Sequence, residues 1–231
     1  MNPQYTASYI AERIDHTLLK QGVSVSSLKD FLDLALKYRV RGVVVTPSNI
    51  PFIIDMLSKG HVIKVISVVS FPIGEDPMKI KIAEIDELYS YGVDELDIVL
   101  NNTYIRMGRM DFFEEEVKEI INHSRREYPS LVIKLILEVP ILTDSELLAA
   151  ISIINKYKPD YLKTSTGYAY RGTTVEDVRK IRKVLNEDIG IKAAGGIRKL
   201  SQMMELIDAG ADIIGSSRGI DIVREALKRY E

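Results

Sequence analysis

The chain has no cysteine, which excludes disulfides, thiolate metal sites and thiol nucleophiles at once. It has no long apolar run: no segment approaches the roughly 20 apolar residues of a membrane helix, and the N-terminal MNPQYTASYIAERIDH lacks an apolar core of signal-peptide length. Net charge is small, -2 over 231 residues, so neither nucleic acid nor an anionic membrane is expected as a partner. The three histidines, His16, His61 and His123, fall in segments that read as strand, loop and helix with no shared spacing. No metal is expected from them, and His16 reads as structural. No G-x-G-x-x-G follows the first strand, so the dinucleotide-binding signature is missing as well. These exclusions leave a cytoplasmic chain with no cofactor and a small molecule as its partner.

What is present is alternation. Short segments rich in valine and isoleucine read as strands: RIDHTLL (13–19), GVVVT (42–46), IKVISVVS (63–70), DELDIVL (94–100), LVIKLILEV (131–139), DYLKTS (160–165), GIKAAG (190–195) and DIIGSS (212–217). Each is followed by a segment of helical periodicity, over 25–39, 48–59, 78–92, 110–128, 143–158, 174–187, 199–210 and 219–230. Start and stop signals agree: TDSE from Thr143 is a capping box, Thr174 caps VEDVRK, and Gly92 and Gly210 end their helices. Eight strand–helix units without a linker predict an α/β fold, a closed (β/α)8 TIM barrel forming one domain over 1–231. FPIG (71–74) reads as a turn, and EEEVKE (114–119) as the solvated face of a helix.

In such a barrel, catalytic side chains come from the C-terminal halves of the strands and the loops beyond. The polar residues there are Asp15, Thr17, Asp97, Glu138, Lys163, Ser165, Lys192, Ser216 and Ser217. Strand alternation turns Lys192 and Asp97 inward, whereas the phase of Tyr161, Lys163 and Ser165 is ambiguous from pattern alone. Two lysines and an aspartate in a narrow interior are no solvated face. An amine is nucleophilic only when uncharged, and burial and a neighbouring cation both favour that form, so Lys192 can activate Lys163 while Asp97 holds Lys192 charged and passes protons. That trio suits imine formation with a carbonyl substrate. The competing reading is an inert buried Lys–Asp pair, the role assigned to Lys134.

AAGGIR (193–198) and IGSSRG (214–219) each lead into a helix after the seventh and eighth strands. Glycines there admit an anion close to the backbone, and helix N-termini favour negative charge, so the two loops predict a phosphate site and a phosphorylated substrate. STG (165–167) supplies further donors.

These segments, with IDHTLLK (14–20), VVVTPSN (43–49), SVVSFPIG (67–74), VDELDIVLN (93–101), LILEVPILTD (135–144), LKTSTGY (162–168), TVEDV (174–178) and KAAGGIR (192–198), resemble the deoxyribose-phosphate aldolases, class I aldolases of deoxynucleoside breakdown. The resemblance implies a Schiff base on Lys163, a pKa-lowering role for Lys192, proton transfer by Asp97 and orientation of that pair by Asp15. It implies that Thr17 and Thr166 meet the sugar hydroxyls, and that Gly167, Gly195, Gly196, Gly215 and Ser217 bind the phosphate. It also implies a homo-oligomer, a dimer or tetramer. Arg218 stands where relatives often have a second serine, and a guanidinium there predicts a charge-assisted phosphate contact. Val44 replaces a common cysteine, Val139 and Pro140 depart from the usual residues after Glu138, and Tyr230 is penultimate where some relatives end in tyrosine. Two rival readings stay open: a related class I aldolase for another phosphorylated sugar, and a non-catalytic barrel that binds a phosphosugar.

Overall fold

In a computed structural model, residues 5–58 and 60–230 are described. Eight parallel strands, β1 (Ile14–Leu18), β2 (Gly42–Val45), β3 (Lys64–Val69), β4 (Glu95–Val99), β5 (Val132–Ile136), β6 (Tyr161–Lys163), β7 (Gly190–Ala194) and β8 (Ile213–Ser216), close into a barrel in sequence order. The short, polar first strand completes it: His16 registers with Val43 on one side and Ser216 on the other. Among the described residues ten α-helices surround it: α1 (Ala7–Ala11), α2 (Val25–Lys37), α3 (Ile50–Met56), α4 (Met78–Ser90), α5 (Asn102–Arg106), α6 (Met110–Glu127), α7 (Asp144–Tyr157), α8 (Val175–Val184), α9 (Leu200–Asp208) and α10 (Gly219–Tyr230).

The (β/α)8 expectation is met, with two additions. Helices α1 and α5 span five residues each, too short to display a 3.6-residue repeat. They are set instead by local caps, in which the side chains of Thr6 and Asn101 accept from the backbone N–H of Tyr9 and Thr103. The capping box at Thr143 forms as expected, and the expected cap at Thr174 is a full box completed by Asp177.

Alternation along each strand sorts the residues into two layers. Ile14, Val43, Val65, Leu96, Ile133, Leu162, Ile191 and Ile214 face outward into the main apolar core under the helices. Inside the barrel the only apolar cluster of buried residues among those described is Val44, Ile66 and Val68 on β2 and β3, with Leu19 and Phe71 against it. The positions that share this inner face on the other strands include Asp15, Glu95, Asp97, Lys134, Lys163 and Lys192, all buried.

A buried ion pair also lies outside the barrel. Lys81 of α4 is fully buried and donates to the carbonyl oxygens of Gly74 (2.6 Å) and Val99 (2.8 Å) and to the carboxylate of Glu116. The other Glu116 oxygen accepts from the Asn101 N–H at 2.9 Å. The solvated-face reading of EEEVKE therefore fails at Glu116, which turns inward to neutralise Lys81. The pair ties the loop after β3 to the end of β4 and to α6.

Candidate active site

At the C-terminal mouth of the barrel lies a cavity of about 400 Å³ with Lys163 among its lining residues. Lys163 ends β6 in register with Ile136 on β5 and Lys192 on β7, which resolves the phase of that strand: its ammonium faces inward. It donates to Asp97 Oδ2 at 2.8 Å, and Lys192 donates to the same oxygen at 2.7 Å. The three residues singled out from sequence thus converge on one carboxylate oxygen.

The neighbours of that oxygen form a larger array. Lys192 also lies 2.6 Å from Asp15 Oδ2, and Arg41 reaches Asp15 Oδ1 at 2.7 Å and Glu95 Oε1 at 2.5 Å. Lys134 lies 2.6 Å from Glu95 Oε2 and 3.1 Å from Asp97 Oδ1. Lys134 is therefore no isolated pair. The Lys134 contacts and that of Lys192 with Asp15 have ion-pair distances without hydrogen-bond alignment, so attraction between charges dominates there.

Protonation follows from these surroundings. Burial pushes the Lys163 amine below its ordinary value and the charge of Lys192 adds to this, against the opposing pull of Asp97. Burial alone would raise Asp97, but Lys134, Lys163 and Lys192 together hold it well below the usual carboxylate range. Asp15 is likewise held low by Lys192 and Arg41 against its burial. Lys134 is raised by Asp97 and Glu95 despite its burial. The outcome is fixed carboxylates, fixed cations and one amine, at the cavity floor, disposed to lose its proton.

Aromatic side chains wall the cleft around that amine. Phe71, in the loop that Lys81 anchors, places its ring centroid 5.8 Å from Lys163 Nζ. Tyr168 meets Phe71 edge to face at 5.5 Å, and its hydroxyl donates to the Leu19 carbonyl at 3.2 Å. FPIG is thus a wall of the site as well as a turn. Glu138, at the end of β5, accepts from the hydroxyls of Ser165 and Thr166 and from the Thr166 N–H at 3.2 Å. Its role, open from sequence, is to hold the STG loop against the cavity.

Thr17, Thr166, Gly167, Gly195, Gly196, Gly215 and Ser217 all line the cavity. Gly195 and Gly196 have φ of +98° and +76°, a region that favours glycine and lets the loop pass over the barrel mouth. Gly215 also makes room: a Cβ there would lie 3.3 Å from Cε of Lys192 and 3.0 Å from Cβ of Ala194. Thr166 Oγ1 is engaged by Glu138 and accepts from the Tyr168 N–H at 3.2 Å, and Thr17 Oγ1 donates to the Asp15 carbonyl at 3.0 Å.

One expectation from sequence requires revision. The Arg218 guanidinium is exposed and pairs with Asp221 at 2.9 Å, and Arg218 does not line the cavity; the charged side chains at the rim are Lys20 and Arg198. Both close motifs quoted above, IDHTLLK and KAAGGIR, and basic residues beside a glycine loop were the signal that would have found them. Tyr230 packs on α9, its hydroxyl 3.3 Å from Met204 Sδ, and does not line the cavity. The histidines are scattered. His16 stacks on Phe31 at 4.5 Å and is pushed down to about 4 by burial, whereas His123 pairs with Asp86 at 2.6 Å. No helix among the described residues is long and apolar enough to cross a membrane.

No protein-family model matches the chain. A deoxyribose-phosphate aldolase of Caldicellulosiruptor saccharolyticus is 39% identical over 220 residues, covering 95% of this chain and 99% of the relative. Among solved structures, an aldolase designated QR15 superposes with a TM-score of 0.88 at 38% identity, covering 95% of this chain and 96% of its own. A deoxyribose phosphate aldolase from Aeropyrum pernix, described as tetrameric, superposes with a TM-score of 0.86 at 28% identity, covering 95% of this chain and 91% of its own. Likeness across nearly the whole length, around a lysine buried at the mouth of a closed barrel, identifies the chain as a member of the deoxyribose-phosphate aldolase family.

Proposed function

We propose that the chain reversibly cleaves 2-deoxy-D-ribose 5-phosphate to acetaldehyde and D-glyceraldehyde 3-phosphate, with Lys163 as the Schiff-base residue. The observation that carries this is the position of Lys163, buried at the cavity floor, bonded to a carboxylate it shares with Lys192 and disposed to be uncharged.

The neutral amine attacks the C1 aldehyde of the open-chain sugar, and loss of water gives a protonated imine. As the C3 hydroxyl gives up its proton, the C2–C3 bonding pair moves into the imine as an enamine and D-glyceraldehyde 3-phosphate departs. Protonation of the enamine at C2 and hydrolysis release acetaldehyde and restore the amine. Asp97, in contact with both lysines, and Lys192 are the groups placed to relay protons, while Asp15 fixes Lys192. The glycine loop, Ser217 and the basic pair Lys20 and Arg198 at the cavity margin suit the phosphate. Thr17 and Thr166 lie where sugar hydroxyls would pass. We infer further that the chain works as a homo-oligomer, by analogy with the tetrameric relative.

Two assays test this. Coupled detection of both products from 2-deoxyribose 5-phosphate should show turnover without added metal; product only from another phosphorylated sugar in the same panel would reassign the substrate. Gly195→Ala forces a side chain into a φ of +98° beside Ser165 and Gly167. It should raise KM for the phosphorylated sugar about 10- to 100-fold, the worth of one charge-assisted hydrogen bond, and leave unphosphorylated 2-deoxyribose nearly unaffected. An equal loss for both sugars would remove the phosphate from that loop.

A further inference from the structure

The buried ion pairs under the cleft close on themselves. Arg41, Asp15, Lys192, Asp97, Lys134 and Glu95 form a ring in which every cation touches two carboxylates and every carboxylate touches two cations of the ring. Three positive and three negative charges cancel. Lys163 is the seventh member, attached only to Asp97 Oδ2, an oxygen already serving Lys192.

We propose that Arg41, Glu95 and Lys134, none of which lines the cleft, are positioning residues for the reaction: by completing a neutral ring they deny Lys163 a counter-charge of its own and so keep its amine nucleophilic. A protonated Lys163 would add a fourth positive charge to three negative ones among buried side chains, where an uncompensated charge is costly. The role rests on the Schiff-base assignment of Lys163. It reaches from the bottom of the barrel, where Arg41 leaves a fifth of its side chain exposed at 18%, to the chemistry at the top.

The groups facing Lys163 support this placement. Asp97 comes from β4, Lys134 from β5, Lys192 from β7 and Asp15 from β1; Phe71 covers it from the loop after β3. Glu138, beyond β5, is engaged by Ser165 and Thr166, and Lys20 and Arg198 sit at the cleft margin. No unpaired carboxylate among these described residues is available to Lys163.

Ring charge can be altered with opposite signs at two residues that touch each other. Glu95→Gln leaves the ring with one excess positive charge, so the acid limb of kcat/KM should move to lower pH. Arg41→Gln leaves one excess negative charge, which favours the Lys163 ammonium, so the limb should move to higher pH. Each shift is expected to be about one pH unit, and the double variant should return to the wild-type position. Damage to structure alone lowers amplitude without displacing the profile in opposite directions.

The same shifts should appear in the pH dependence of Lys163 acetylation by acetic anhydride, followed by peptide mass spectrometry. That readout needs no turnover, so it remains decisive if the substrate or the Schiff-base assignment proves wrong. Folded variants that shift in the same direction, or not at all, overturn the proposal. Should Arg41→Gln fail to fold, Glu95→Gln alone decides: a shift to lower pH supports the ring, and an unchanged or raised profile refutes it.

Discussion

Lys163→Ala is expected to abolish turnover, lowering kcat by on the order of 10⁴-fold or more, as for removal of other covalent nucleophiles. Without the amine there is no imine, and without the imine the C2–C3 electrons have nowhere to go. The phosphate loop and the rest of the cleft stay in place, so the variant should still bind the sugar phosphate. Stability should not fall. Lys163 hangs on an already neutral set of ion pairs, and its removal strands no carboxylate: Asp97 keeps Lys134 and Lys192. A melting temperature equal to or above that of the parent, together with lost activity, is the expected pair of results. Appreciable aldol activity in Lys163→Ala would contradict the mechanism. Lys192→Ala makes a useful contrast, because it leaves Asp15 and Asp97 each one ion pair short and should cost stability as well as rate.

The largest effect on stability is expected at Lys81, far from the reacting atoms. Lys81→Met removes the cation from a buried pair and leaves Glu116, only 4% exposed, beside two carbonyl oxygens with no ammonium to bridge them. Breaking a buried pair on one side costs about 3–5 kcal/mol, which for a chain of this size lowers the melting temperature by roughly 6–20 °C. Removing both charges, in Lys81→Met with Glu116→Leu, should recover much of that loss, since the desolvation of two ions no longer has to be offset.

The pH dependence has a definite sign. Burial already raises the Glu116 carboxyl, against the lowering effect of Lys81, and without Lys81 it rises further. A carboxyl raised in the folded state is stabilising when protonated and destabilising when ionised. The deficit of Lys81→Met should therefore shrink as pH falls through that raised value and be largest at alkaline pH. Thermal unfolding across a pH series checks it; a deficit that grows toward acid would show that Glu116 is not the stranded group. Since the same lysine anchors the loop bearing Phe71, a modest loss of activity should accompany the loss of stability.

How much of this was legible in the sequence depended on range. The barrel was readable because each strand carries its own outward-facing apolar set, Val43 and Val45 or Leu96 and Ile98, and each helix its own periodic stripe. Helices α1 and α5 escaped because five residues held by a cap present no period. Strand β6 is shorter than DYLKTS: beyond Lys163 side-chain contacts join the backbone ones, the Thr164 hydroxyl meeting that of Thr173 at 2.6 Å and Ser165 turning to Glu138.

At the site, Lys163, Lys192 and Asp97 could be placed together because all lie in strands whose alternation or motif marks them as inward. Arg41 and Glu95 could not. They sit at the starts of β2 and β4, in RGVVV and DELDIV, where a charge ordinarily marks a strand entering from solvent. Only closure of the barrel shows that these two entering charges meet each other and close the ion-pair ring. Glu116 misled for a similar reason: in a run of acids, nothing local distinguishes the one residue that faces a buried lysine on another helix. Arg218 misled through proximity in sequence, since Asp221, one helical turn on, claims its guanidinium.

The central claim is that Lys163 forms the imine, and borohydride trapping tests it most directly. The protein is incubated with 2-deoxyribose 5-phosphate, or with acetaldehyde, reduced, digested and mapped by mass spectrometry. The account predicts a reduced two-carbon adduct on Lys163, in the peptide containing YLKTSTGY, with loss of activity in proportion to labelling. An absence of adduct on the folded protein, or labelling confined to surface lysines, would contradict it.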